Sequence, residues 1–64
     1  MTPADLRALL ERLECSQTRF GKLTGYSDRW VRMWLAGDAL VPVLVGTVCR
    51  LLDLGRIKLE DLEP

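Results

Sequence analysis

Residues 16–37, SQTRFGKLTGYSDRWVRMWLAG, decide how this chain is read, because they hold the start and stop signals of two short helices joined by a tight turn. The Ser16 hydroxyl can accept a hydrogen bond from a backbone N–H that has no partner at a helix start, so Ser16 predicts an N-cap. The first helix then covers Gln17 to Leu23 or Thr24. Gly25 supplies the left-handed conformation that ends a helix without a Cβ penalty. Ser27 caps a second helix from Asp28 to about Leu35, closed by Gly37. The apolar residues that lock two such helices together fall at helical spacing: Phe20 and Leu23 on the first, Tyr26 in the turn, Val31 and Trp34 on the second. Gly21 is small where the helices would cross.

The order within this run carries a resemblance. A Ser-Gln pair, two polar residues, the aromatic Phe20, the small Gly21, Gly25 four residues on, the apolar-Ser step Tyr26-Ser27, Val31 and Trp34 three apart and a closing Gly37 resemble the helix-turn-helix of the Cro and phage-repressor (Xre-like) family. The resemblance implies an all-α fold, a small four- to five-helix lambda-repressor-like DNA-binding domain with one helix before the motif and two after it. It also implies that the second helix of the motif enters the DNA major groove. Residues 25–35, GYSDRWVRMWL, are similar to the small autorepressors encoded beside anti-CRISPR genes. Two positions depart from the family pattern. Leu23 precedes Thr24, the reverse of the commoner polar-then-apolar order, and Trp30 stands where a small polar residue, often Thr, is usual.

Length limits the organisation. Sixty-four residues make one domain, 1–64, with the motif at about 16–37 and a dimerisation region at about 42–64. A chain this short buries only about 60% of its unfolded surface and is close to the lower limit for folding alone. The composition is 48% hydrophobic, enough for a core. Association into a homodimer is the expected supplement. No transmembrane run is present, and the first fifteen residues carry both charge signs and no uninterrupted apolar region, so neither a signal peptide nor a membrane partner is expected. The expected location is cytoplasmic.

The chain has two Cys and no His. Cys15 and Cys49 lack a CxxC spacing, and His, the commonest metal ligand and the commonest neutral-pH base, is missing. Both cysteines are expected to be reduced, small, buried apolar side chains. No metal, cofactor or small-molecule ligand is expected. Enzyme activity is disfavoured, since neither a cleft-forming size nor a paired acid and base can be read from the chain.

Net charge is zero, which by itself argues against a nucleic-acid partner. The distribution says otherwise. Residues 1–15 carry a net −1 and residues 38–64 a net −2, while Arg19, Lys22, Arg29 and Arg32 against Asp28 give residues 16–37 a net +3. Positive charge thus collects on the two-helix unit, which would orient the protein on a phosphate backbone while keeping non-specific affinity modest.

The flanks read as helices too. Thr2 suits an N-cap, Pro3 the first helical position and Asp5 the positive end of the helix dipole. Leu6, Leu9, Leu10 and Leu13 recur on one face and predict core. After the short loop DALV, residues 38–41, Pro42 predicts the first residue of a helix continuing through Asp53 and ended by Gly55. That segment is apolar on nearly every side. The residues VPVLVGTV also have the composition of a strand, but the run continues into RLLDL at helical spacing and favours helix. In RIKLEDLEP, residues 56–64, Leu59 to Leu62 can form one helical turn, with Ile57, Leu59 and Leu62 folding back on the core or reaching a second copy. Alternation from Arg56 to Leu59 equally permits a short strand.

Side chains facing away from Val31 and Trp34 would read DNA: Ser27, Asp28, Arg29, Arg32 and Met33. Each arginine can donate two hydrogen bonds to guanine O6 and N7. Asp28 can accept from cytosine N4 or hold an arginine fork, and Met33 can pack on a thymine methyl. Ser16, Gln17, Arg19, Lys22 and Trp30 are the expected backbone contacts. For Trp30 two places stay open, burial at the helix flank or a phosphate at the groove edge. Val43, Leu44, Leu51, Ile57 and Leu59 are expected at the dimer interface, which would match a palindromic double-stranded operator. The function expected is that of a homodimeric transcriptional (auto)repressor. The alternative is a protein-interaction module, such as an antitoxin or a phage inhibitor, on the same helical fold.

Overall fold

Four α-helices and a closing 3₁₀ turn make up the fold, and no strand forms among the described residues. The computed structural model describes residues 1–63. Helix α1 spans Pro3–Arg12, α2 Gln17–Thr24, α3 Asp28–Ala36 and α4 Val43–Asp53, and the 3₁₀ turn spans Leu59–Leu62. The chain is therefore a small all-α domain, and the strand alternatives at residues 41–48 and 56–59 are not realised.

Local chemistry explains the helix ends. The Thr2 hydroxyl accepts from the Asp5 backbone N–H at 3.1 Å, and the Asp5 carboxylate accepts from the Thr2 N–H at 3.0 Å, a reciprocal capping box. The Thr2 backbone and side-chain hydrogen bonds to that carboxylate hold the Asp5 pKa below its ordinary value. Ser16 and Ser27 cap α2 and α3 through their hydroxyls, and Gly25 and Gly37 end them with φ of 81° and 82°. Helix α1 ends differently. Glu14, with φ 53°, takes the left-handed position, and the Cys15 N–H reaches back to the Leu10 carbonyl at 2.9 Å. Helix α4 begins one residue later than expected, because Pro42 occupies the N-cap position rather than the first turn.

The core forms where α1 and α2 pack on α3 and α4 closes against α1. Leu6, Leu9 and Leu10 of α1, Phe20 of α2, Val31, Trp34 and Leu35 of α3, and Val45, Cys49 and Leu52 of α4 are all buried, as is Cys15. Leu13 and Tyr26 pack at its margin. Trp34 is the centre. Its ring meets Phe20 edge-on at 6.4 Å between centroids and Tyr26 at 4.9 Å, geometries that the aromatic quadrupoles favour. Gly21 lets α2 and the turn approach each other: a Cβ there would lie 2.6 Å from the Tyr26 carbonyl oxygen. An ion pair between Arg12 and Asp53, 2.6 Å, links the ends of α1 and α4.

The segment after α4 folds back. Leu59 packs against the core, and the 3₁₀ turn lies against α2.

Candidate nucleic-acid interface

A helix turns about 100° per residue, so burial of Val31, Trp34 and Leu35 leaves Arg29, Met33 and Ala36 on the outer line of α3. Arg32 and Asp28 then lie along one flank and Trp30 along the other. Ser27, Arg29 and Arg32 are exposed, while Asp28 and Met33 are partly covered. Arg29, Arg32 and Met33 therefore lie on the outward side of α3 with Asp28 at its flank, while Ser27 precedes the helix as its N-cap and is not part of that surface. Ser27 is already employed, since its oxygen accepts from the Trp30 N–H at 3.4 Å. Trp30 is 45% exposed. Burial at the helix flank is thus not where it sits, because Trp34 and Val31 already fill the space beneath α3.

Asp28 joins the two helices. One carboxylate oxygen accepts from the Thr18 hydroxyl of α2 at 3.3 Å, and the other lies 3.4 Å from Arg32 Nε one turn along α3. Of the two roles open to Asp28, holding an arginine is the one its geometry serves in the free protein. Thr18 was not among the residues singled out from sequence. Nothing in its immediate neighbours marks it, since its partner lies ten residues away and meets it only through the crossing of α2 and α3.

The expected backbone contacts separate into two groups. Ser16 caps α2 through its side chain, and Gln17 is half-buried in a cleft beside Arg7, Leu10, Glu11 and Leu35. Lys22 is exposed and, like Arg29, has no ion-pair partner among the described residues. Arg19 is committed elsewhere: its guanidinium lies 3.0 Å from the Glu63 carboxylate. The wheel explains this, because Arg19 lies about 100° further round α2 than Thr18, toward the 3₁₀ turn.

The expected interface residues separate as well. Val43 and Leu44 stand 85% and 79% exposed, and Leu40 in the preceding loop 93%. Leu51 and Ile57 are half-buried, and Leu59 is packed on the core of its own chain. The most exposed apolar side chains therefore lie at the start of α4 and in the loop before it, with Leu54 at the end of α4 exposed as well. Leu40 was missed because its neighbours Asp38 and Pro42 mark it as loop, and loops are read as connections rather than surfaces. Beside Leu44 a groove of about 240 Å³ runs between α4 and the α2–α3 turn, lined by Thr24, Tyr26, Leu44, Val45 and Val48.

The cysteines offer no reactive group. Burial raises the Cys15 pKa despite the opposing charge of Arg19, and it pushes the Cys49 thiol up to about 11. Both thiols are free and buried, and a protonated thiol is a poor nucleophile and a poor metal ligand. No helix among the described residues is long and apolar enough to cross a membrane.

No family model, no curated protein and no solved structure matches this chain.

Proposed function

We propose that this chain is a sequence-specific DNA-binding transcriptional regulator that works in the cytoplasm as a homodimeric autorepressor of the Cro and phage-repressor (Xre-like) kind, similar to those encoded beside anti-CRISPR genes. One observation carries the reading. Arg29 and Arg32 face outward from α3, whose opposite side is anchored in the core by Val31 and Trp34. A short helix fixed on one side and carrying guanidinium groups on the other has the shape and chemistry to enter a major groove. Each arginine engaging guanine O6 and N7 would discriminate against the wrong base by about 1–3 kcal/mol. Met33 is available for a thymine methyl, and the Trp30 indole N–H for a phosphate at the groove edge.

Register on the duplex would come from Lys22, Gln17, Ser16 and the first turn of α2. Arg19 can join them only by exchanging Glu63 for a phosphate. With Arg19 paired to Glu63 and Arg29 and Arg32 assigned to bases, Lys22 is the one cation of the motif left for phosphates, which predicts weak non-specific binding and a shallow salt dependence. A single reading helix contacts too few bases to select a site. The exposed Leu40, Val43 and Leu44 supply an apolar surface for a second copy, and covering them would contribute roughly 1.5–3 kcal/mol per side chain. Two copies about a two-fold axis would bring their reading helices about 34 Å apart, one turn of DNA.

Fluorescence anisotropy with the duplex immediately upstream of the gene, over a salt series, tests the reading. The expected result is specific binding that Arg29→Ala and Arg32→Ala each weaken by roughly 5- to 150-fold, with little change on unrelated duplex. Absence of specific binding at every salt concentration refutes it. Sedimentation of the wild type and Leu44→Asp tests the second copy, and a wild type that is monomeric at high micromolar concentration removes the dimer. The same apolar surface favours a second reading, a protein-interaction module such as an antitoxin or phage inhibitor. A monomer without specific DNA binding would be its signature.

A further inference from the structure

The Thr18–Asp28–Arg32 chain spans both helices of the motif. Thr18 lies on the exposed side of α2 nearest α3, and Asp28 lies in the first turn of α3. The two oxygens of the Asp28 carboxylate divide their partners, one accepting from the Thr18 hydroxyl at 3.3 Å and the other facing Arg32 Nε at 3.4 Å. Arg32 nevertheless keeps 64% of its side chain exposed. A guanidinium has five N–H donors in a planar fork. The Asp28 contact is an ion pair on the Nε side rather than a hydrogen bond, so both terminal amino groups are uncommitted, and their end-on pair matches the spacing of guanine O6 and N7.

We infer that Thr18 and Asp28 are positioning residues for base recognition: Thr18 holds the Asp28 carboxylate, and the carboxylate holds Arg32 as a preformed bidentate donor selecting guanine. The inference rests on the DNA-binding reading and assigns specificity within it. In water an exposed pair of this kind is loosely held. Within a groove that excludes water the same geometry strengthens, and a side chain already oriented loses less rotamer freedom on binding. Arg29 has no such support, since no ion-pair partner lies near it among the described residues. The two arginines should therefore differ. Arg32 would be strict for guanine, and Arg29 more tolerant.

The physical alternative is that Thr18 touches a phosphate directly. A phosphate contact weakens all sequences alike, whereas a positioning role alters preference at one base pair and vanishes once the positioned arginine is gone. A duplex selected by the wild-type protein from a random pool, together with its single-base variants at the position lost in Arg32→Ala, separates them. Thr18→Val should reduce binding to the guanine duplex by about 3- to 10-fold, an intermediate share of the full arginine–guanine contact, and bring the base variants closer to parity. In the Arg32→Ala background it should change affinity less than 2-fold, and Thr18→Ser should restore the wild-type preference. Asp28→Asn should behave as Thr18→Val does. Equal losses for Thr18→Val in both backgrounds, or an unchanged base preference, overturn the inference while leaving DNA binding intact. A wild type that selects no sequence overturns the DNA-binding reading and this inference with it. Far-UV circular dichroism on each variant keeps loss of folding from counting as support.

Discussion

Replacement of Gly21 by Ala should destabilise the protein, although helix propensity alone says the reverse. Gly21 lies inside α2, where Ala is favoured over Gly by about 0.8–1.0 kcal/mol. A Cβ at this position would sit 2.6 Å from the Tyr26 carbonyl oxygen, and reaching an ordinary 3.4 Å contact requires a retreat of about 0.8 Å. The obstacle is backbone, and the Tyr26 N–H is itself bonded to the Gly21 carbonyl at 2.9 Å, so a side-chain rotation cannot relieve it. Overpacking of this kind costs about 1–3 kcal/mol. Because the turn cannot yield locally, the upper part of that range applies, and the net loss is about 1–2 kcal/mol after the propensity gain. For a domain of this size each kcal/mol moves the melting temperature by about 4–8 °C, so Gly21→Ala should melt roughly 5–15 °C lower. Gly46 is the internal control. It too lies inside a helix, α4, but nothing stands within 4 Å of a Cβ built there, and Gly46→Ala should stabilise by about 0.5–1 kcal/mol. Thermal and urea unfolding of the two variants at equal, low concentration reads the contrast. If Gly21→Ala is as stable as the wild type, the close approach of α2 to the turn is wrong, and with it the geometry that brings Thr18 to Asp28.

Glu14 holds the left-handed conformation with φ 53°, which costs an L-residue about 1–2 kcal/mol. Glu14→Gly should raise stability by roughly 0.5–1 kcal/mol once the greater freedom of Gly in the unfolded chain is deducted, and a urea midpoint below wild type would contradict this. Burial raises the Cys49 pKa to about 11, from an ordinary value of 9.0, so the folded state binds this proton more tightly than the unfolded chain does. The stabilisation is complete below pH 9 and disappears as the pH rises through 11. The resulting alkaline loss is on the order of 2–3 kcal/mol. It should vanish in Cys49→Ala measured against its own neutral-pH stability, and an alkaline limb of the same size there would assign it to other groups. The Glu63–Arg19 pair occupies a cation of the proposed DNA surface. Glu63→Gln should therefore tighten DNA binding by about 2- to 5-fold, the scale of an exposed ion pair, whereas weaker binding would give Glu63 a different role.

Much of the fold lies in local chemistry that a linear reading can follow. Ser16, Gly25, Ser27 and Gly37 mark the ends of α2 and α3 because capping hydroxyls and left-handed glycines act within three or four residues of where they stand. The burial of Leu6, Leu9, Leu10, Phe20, Val31 and Trp34 follows from helical periodicity in the same way. Pairings across helices were not legible. The hydrogen bond from Thr18 to Asp28, the capture of Arg19 by Glu63 and the packing of Leu59 on its own core depend on crossing angles and on where the C-terminal segment returns. Trp30 and Trp34 share a residue type and a helix, and only the direction each faces decides that one is core and the other surface. Val43, Leu44 and Leu59 likewise look equally apolar in sequence, yet the small core of this 64-residue chain takes Leu59 against its edge and leaves the other two in water. Local forces alone thus mark α2 and α3 and their ends, whereas the start of α4, the end of α1 and the form of the C-terminal segment were not settled before the helices packed. Which charges lack an ion-pair partner among the described residues, which apolar side chains stay exposed and which arginine lies against a carboxylate depend instead on groups that meet only when the helices cross.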